Sequence, residues 1–434
     1  MNTFSTLKKA LIDQIQLMET NRKDFVKNPL SDFTRKRKLP FSDTIQMILS
    51  MECGSIRSEL LKYFSYSPDI ATTSAFIQQR DKLKPETFQH LFHSFNSTLP
   101  QKNWNGFHFF AVDGSDVLIP LEGDNEVYGY FHREDQRNYH QVHLNAIYDL
   151  INHRYSDAYI EPRKGHNERE AFHHMLEEHS FPEKSVFIFD RGYECYPLMS
   201  HISGKNQFFV MRAKDNKPGG ILNGINLPQE NEYDFLFNKI LTNRFRVAHL
   251  DNPGAYHYVH YKPSPYFLNK DVKELPFSFR IVRFRLKNGS YECLLTNLPK
   301  EIFDRASLKK IYNMRWGIET SFCRLKYSIG LLYFHSKKVE SIQQEIWARL
   351  ILHNFCMAVT EDIKVRKTNS RYRYQLNIVN AIQICRRFLK GCTAEAPPDI
   401  ELLISRVLLP IRPKRNNTRK GTTKRPRKFN YRVL

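Results

Sequence analysis

KKIYNMRWGIETSFCRLKYSIG, residues 309–330, carries two interleaved stripes. Ile311, Met314, Ile318, Phe322, Leu325 and Ile329 recur every three or four positions, the period of an apolar helix face packed on a core. Tyr312, Arg315, Glu319 and Lys326 follow steps of three, four and seven. At about 100° per residue they form a second stripe beside the first. The spacing predicts a helix over 307–327 with an acid, two cations and a phenol next to its buried face. Taken alone, the polar stripe reads first as a solvated face closed by an Arg315–Glu319 pair, worth roughly a few tenths of a kcal/mol.

Upstream, two apolar runs each end in an aspartate. Residues 107–112 lead into Asp113-Gly114-Ser115, and residues 186–189 lead into Asp190-Arg191-Gly192. With further strands expected at 144–148, 154–160 and 207–211 and a helix at 168–179, this is an α/β domain with a buried central sheet. A carboxylate at the rim of a sheet is both rigid and accessible, as a metal site requires. Strand-ending Asp residues also commonly just make turns, and Asp116 and Asp149 stand in similar surroundings.

Residues 215–300 hold Gly, Asn and Pro clusters and short alternating segments at 255–261, 277–286 and 291–296, and read as a β-rich insertion. Helices return after Pro299, including a core helix over 341–360. Residues 1–103 show helical periodicity broken at Asn28-Pro29 and Ser67-Pro68, with helices expected over 72–83 and 85–95. Their Lys and Arg suit a small DNA-binding unit; the alternative is a helical cap packed on the main domain.

A chain of 434 residues suggests two to four structural units, and 41% hydrophobic residues can build substantial cores. Lys+Arg number 66 against 45 Asp+Glu, a net charge of +21 that favours a polyanionic partner, nucleic acid before anionic membrane. The last 24 residues contribute ten Lys/Arg and no acid, so the body alone carries +11. No apolar run reaches the roughly 18 residues of a membrane span, and the N-terminus lacks the apolar core of a secretory signal. Seven scattered cysteines without a CxxC pair fit reduced thiols rather than disulfides or structural zinc. His140 and His143 have no Cys nearby and are not expected to bind zinc.

Tyr312-x2-Arg315-x3-Glu319-x6-Lys326 resembles the motif that marks IS4-type DDE transposases, and Arg315-Trp316-Gly317-Ile318-Glu319 resembles its usual local form. The blocks around Asp113 and Asp190 fit the same family, as do Ser74-Ala75-Phe76 with Arg80, and His166-Asn167-Glu168; the likeness spans about 70–360. The resemblance implies an RNase H-like catalytic core interrupted by a β-rich insertion, with a helical N-terminal DNA-binding domain. The expected divisions are 1–103 for that domain, 104–214 and 301–365 for the two parts of the core, 215–300 for the insertion, and 366–434 for a C-terminal helical region and basic tail. The spacings agree, with 77 residues from Asp113 to Asp190 and 129 from Asp190 to Glu319, the longer gap holding the insertion.

By the same resemblance Asp113, Asp190 and Glu319 are the catalytic acids and hold two Mg2+ ions, for which Mn2+ would substitute. Tyr312, Arg315 and Lys326 would contact DNA phosphates near the scissile bond, Trp316 would stack on a flipped base, and Arg191 and His166 would line the cleft. The implied activity is binding of terminal inverted repeats, cleavage at the element ends by way of hairpins, and joining of the 3′-OH ends to target DNA. A homodimer would synapse the ends, in a prokaryotic cytoplasm and without a membrane. The competing readings are a metal-dependent endonuclease without strand transfer and an inactive DNA-binding regulator; the presence of all three acids counts against the second.

Overall fold

In the computed structural model, described over residues 3–121, 127–130, 139–215, 220–259, 272–365, 372–389 and 399–411, the two apolar runs become parallel neighbours. Strand β1 (His108–Ile119) pairs with β5 (Ser185–Phe189) in a register that ends at Val112 opposite Phe189. The next residue on each side is Asp113 and Asp190. The side chains alternate as a strand requires. Phe109 and Ala111 enter one apolar core, while Phe110 and Val112 enter the core on the opposite face. Such an apolar run is a strand covered on both sides.

Strands β2 (Gly129–Tyr130), β3 (Tyr139–Asp149), β4 (Arg154–Pro162), β6 (Phe208–Ala213), β7 (Tyr233–Thr242), β8 (Tyr256–Tyr258), β9 (Glu274–Arg285) and β10 (Tyr291–Thr296) complete one mixed sheet. Its order is β2-β3-β1-β5-β6-β10-β9-β7-β8, with β4 also paired to β3. Residues 215–300, expected as an insertion, therefore do not build a separate layer among the described residues. Strand β10 lies antiparallel on β6, with Thr296 opposite Val210, and its residues from Glu292 to Thr296 are buried. The pairing is non-local, so composition announced the strands but not the sheet they join.

One face of the sheet carries α6 (Glu168–Glu178) and α7 (Tyr196–Gly204). The other packs against α1 (Thr3–Thr20), α2 (Phe41–Ser50), α3 (Ile56–Tyr63), α4 (Thr73–Arg80), α5 (Thr87–Ser97), α8 (Arg305–Met314), α9 (Trp316–Cys323), α10 (Val339–Glu361), α11 (Ile378–Leu389) and α12 (Ile400–Ser405), with the small ribbon β11 (Arg373–Leu376) and β12 (Leu408–Ile411) beside them. Helix α10 is buried along nearly its whole length, and its buried polar side chains, Gln344, Glu345, Arg349 and Asn354 among them, are hydrogen-bonded. The N-terminal helices share its core, so they form a cap on the main body.

Arg80, singled out in the sequence, fastens that cap. Its buried guanidinium donates to Gln344 Oε1 (3.0 Å), Glu345 Oε1 (2.8 Å) and the Ser341 carbonyl of α10. Glu345 also accepts from the backbone and ring nitrogens of His335. Burial alone would raise the Glu345 carboxyl, but His335 and Arg80 outweigh it and hold it well below the carboxylate range. No helix among the described residues is long and apolar enough to cross a membrane. The basic tail after Ile411 lies outside the described residues.

Candidate active site

Chain direction brings the two aspartates together first. Asp113 and Asp190 follow the last register pair of adjacent parallel strands, which run about 4.8 Å apart. Each carboxylate binds local backbone: Asp113 Oδ1 accepts from Gly114 N at 2.9 Å, and Asp190 Oδ1 from Gly192 N at 3.0 Å. Both are half-buried. Asp190 follows the end of β5, whereas β1 does not stop at Asp113 as the sequence led us to expect but runs on to Ile119 paired with β3, with Asp113 opposite Ala146.

The third acid arrives on a helix that is not the continuous one expected over 307–327. Tight turns close at Arg315, where Arg315 N donates to Tyr312 O and Ile318 N to Arg315 O, both at 3.1 Å, and α9 starts afresh. A wider turn over Arg324–Ser328 then has Ile329 N donating to Arg324 O at 2.9 Å. Two packing demands go with the break. The apolar stripe must stay on the core, and all of it is buried except half-buried Met314. In addition, Gly317 sits so close to the end of β3 that an added Cβ would come within 2.9 Å of Leu150 Cδ2.

The break turns Arg315 inward. Its buried guanidinium donates to Glu319 Oε1 at 2.6 Å and reaches Asp113 Oδ2 at 3.5 Å. The pair seen in the sequence is thus half of a bridge between two strand and helix acids, with one side chain only 7% exposed. Burial pushes the Asp113 carboxyl up to about 6, and the charges of Glu168 and Asp190 add to that against the pull of Arg315. A cluster of carboxylates this crowded calls for cations.

The other expected site residues divide. Tyr312 is buried near Arg315 and Asp190, and burial pushes its hydroxyl up to about 12. Lys326 Nζ donates to Ser115 Oγ and to the Asp116 carbonyl, both at 2.7 Å, tying the wide turn to β1 just beyond Asp113. Trp316 is 54% exposed, with the Arg315 guanidinium 6.0 Å from its ring centre, so it is not a core aromatic. Arg191 is exposed beside Asp190. His166 hydrogen-bonds to the Arg163 carbonyl and packs 4.3 Å from the His143 ring, one ring away from the acids.

Three residues were undervalued in the sequence. His143 Nδ1 lies 2.7 Å from Asp116 Oδ1, and its Nε2 lies 3.1 Å from Glu168 Oε1. Burial would lower this imidazole, but the two carboxylates outweigh burial and push it up to about 9, so both nitrogens donate at neutral pH. Glu168 begins α6, capped by Asn167, where a carboxylate suits the helix N-terminus. It lies against Gly114 and Gly192, between the two aspartate blocks. Tyr193 reports the same crowding: burial first, then Glu168, Asp113 and Asp190, raise its hydroxyl well above the ordinary range. The spacing of 116, 143 and 168 gives no local periodic signal; only the His166-Asn167-Glu168 block pointed this way.

Residues 104–355 match the family model described as the transposase DDE domain. The chain is similar to the transposase InsG for insertion sequence element IS4 of Escherichia coli (strain K12), 24% identical over 341 residues, which cover 74% of this chain and 70% of that protein. Among solved structures, that of the piggyBac transposase synaptic complex with hairpin DNA aligns with 97% of this chain and 88% of its own, at 10% identity and a TM-score of 0.46.

Proposed function

The chain belongs to the transposase DDE domain family and is of the IS4 type, and from that premise we propose that Asp113, Asp190 and Glu319 are the acids that hold its catalytic metals. The observation that carries this reading is the adjacency of Asp113 and Asp190 across β1 and β5, with Arg315 linking Asp113 to Glu319. The donors fit Mg2+, a hard ion that takes carboxylate oxygens, with Mn2+ as a substitute. Two such ions supply a neutralised phosphate and an activated water or 3′-OH. The core is accordingly RNase H-like, in two parts over 104–214 and 301–365, with 215–300 inserted in chain order between them and 366–434 as the C-terminal region.

The side chains of the chain do the rest. Arg315 holds Asp113 and Glu319 in place and presents a planar cation to the scissile phosphate. Tyr312 and Lys326 offer a hydroxyl and an ammonium to neighbouring phosphates. Exposed Trp316 is a surface on which a base turned out of the duplex stacks during hairpin formation. Arg191 and His166 line the approach. The basic surplus, including the N-terminal helices and the tail, binds the terminal inverted repeats and target DNA through phosphates, and a homodimer brings two ends together.

Asp113→Asn, Asp190→Asn and Glu319→Gln should each abolish Mg2+-dependent cleavage of element-end DNA while gel-shift binding survives. Metal-dependent cleavage by the Asp190→Asn protein would remove that residue from the triad. A pre-cut end that is not joined to target DNA by the wild type would favour the endonuclease reading. Open flanking ends alone on denaturing gels would dismiss the hairpin.

A further inference from the structure

On the far side of β4 from the acids, three side chains from separate elements converge. His93 comes from α5 of the cap, Asp157 from β4, and His179 follows the last residue of α6. Their ligating atoms all lie within 4.8 Å of one another. His93 Nε2 is 3.5 Å from Asp157 Oδ1, and His179 Nδ1 is 2.7 Å from Asp157 Oδ2. In a tetrahedral zinc site, ligand atoms about 2.1 Å from the ion sit roughly 3.4 Å apart, a spacing that atoms within 4.8 Å of one another reach by small side-chain rotations.

The hydrogen bonding is what points to an ion. His93 Nε2 is buried without a hydrogen-bond partner, while the buried Asp157 Oδ2 and His179 Nδ1 meet each other at 2.7 Å. An orphaned buried polar atom is rare and costs about 1–3 kcal/mol, and this one lies within 4.8 Å of a second imidazole nitrogen and a carboxylate oxygen. The Asp157 side chain is 1% exposed, and among the described residues its ion pairs are to these two imidazoles, with no Lys or Arg. Among the described residues its Oδ1 accepts from Ala158 N. The imidazoles stack with centres 4.0 Å apart, so two protonated rings would repel each other across that gap. A lone pair, a carboxylate and a second imidazole remain. Another His-Glu-His group, His173, Glu177 and His201, has similar spacing, but its Glu177 is already ion-paired to Lys205 at 2.9 Å.

We propose that His93, Asp157 and His179 bind a divalent transition metal of the zinc class, separate from the catalytic acids. Two imidazole nitrogens and one carboxylate oxygen suit zinc and its cobalt substitute rather than Mg2+. A cavity of about 230 Å3, lined by His93, Asn96, His179 and Ser180 among others, opens beside the group and supplies water for the fourth position. The ion clips α5 of the cap to the strand and helix behind the acids. Because α6 carries His179 past one end and Glu168 at the other, the clip also fixes the helix that presents Glu168. No local pattern announces the group, since the three residues stand 64 and 22 positions apart and no Cys is involved.

The test uses the full chain with Asp113→Asn and Glu319→Gln, so that metal at the acidic site does not contribute. Titration with Co2+ should give visible absorption bands that saturate at one equivalent per chain and vanish when Zn2+ is added. Zn2+ should raise Tm. His93→Gln and His179→Gln, each checked for folding by circular dichroism, should weaken Co2+ binding at least about tenfold and remove the Zn2+-dependent rise in Tm. Absence of bands in the parent protein, or bands and Tm rise retained in whichever of the two variants folds, overturns the proposal.

Discussion

Replacing Gly114 by alanine tests whether the His143–Glu168 contact belongs to the working site. The φ of Gly114 is not in the left-handed region, so alanine brings no backbone strain. Its Cβ, however, would stand 2.2 Å from His143 Nε2 and 2.7 Å from Glu168 Oε1. Ordinary contact is near 3.4 Å, so the imidazole must retreat by roughly 1.2 Å and the carboxylate by somewhat less. The 3.1 Å contact between them then breaks while Asp116 keeps the other nitrogen. One charge-assisted hydrogen bond, worth about 1.5–3 kcal/mol, is lost. A displacement near 1 Å beside the reacting groups costs on the order of 10²-fold in rate. Single-turnover Mg2+-dependent cleavage of element-end DNA should therefore fall about a hundredfold, with DNA binding kept. Gly204→Ala, whose Cβ would meet nothing within 4 Å, serves as the control and should leave the rate unchanged. Cleavage by the Gly114→Ala protein within about twofold of wild type would refute the reasoning.

Two further outcomes follow from groups already described. Arg80→Met removes three buried hydrogen bonds and leaves Glu345 short of a cation, so urea unfolding should show a loss of about 3–5 kcal/mol; a loss under about 1 kcal/mol would mean that the clamp does not hold the cap. Asp113 binds its proton more tightly folded than unfolded, so metal-free protein is favoured below the ordinary carboxylate pKa and loses that advantage as the pH rises through about 6. Metal needs the ionised form, and Mn2+ affinity should fall as the pH drops below about 6; an affinity flat from about pH 5 to 8 would contradict the crowding of Asp113 with Glu168 and Asp190.

What could be read from the sequence was what is written locally. Residues 107–112, but for His108, and 186–189 are apolar because both faces of β1 and β5 are covered; the aspartate after the second run marks a strand end, while the one after the first sits inside β1, which continues to Ile119. The stripe from Ile311 to Ile329 likewise names its buried face. The break at Arg315 was not legible: no Pro or cap residue announces it, and it accompanies the close approach of Gly317 to Leu150 and the inward reach of the guanidinium to Asp113. Nor could spacing reveal that Asp116, His143 and Glu168 meet, since β3 and the start of α6 bring them together only through the sheet. Residues 215–300 declared their strands by alternation, yet the partner of β10 is β6, some 80 positions earlier. Long-range pairing of that kind leaves no local signature.

The burial of α10 bears on how the chain is made. Its residues between Ser341 and Thr360 share the core that Phe4, Ile15, Ile45, Phe88 and Phe92 enter, so the cap helices leave the ribosome long before the helix that covers them. At about 5–20 residues per second, the roughly 260 residues between the end of α5 and the end of α10 take on the order of 13–50 s to synthesise. For that interval a phenylalanine-rich set of helices is exposed in the nascent chain. The helix that gives the finished molecule its unity thus makes its synthesis a vulnerable period, because the apolar faces of the cap helices are made before the helix they pack on.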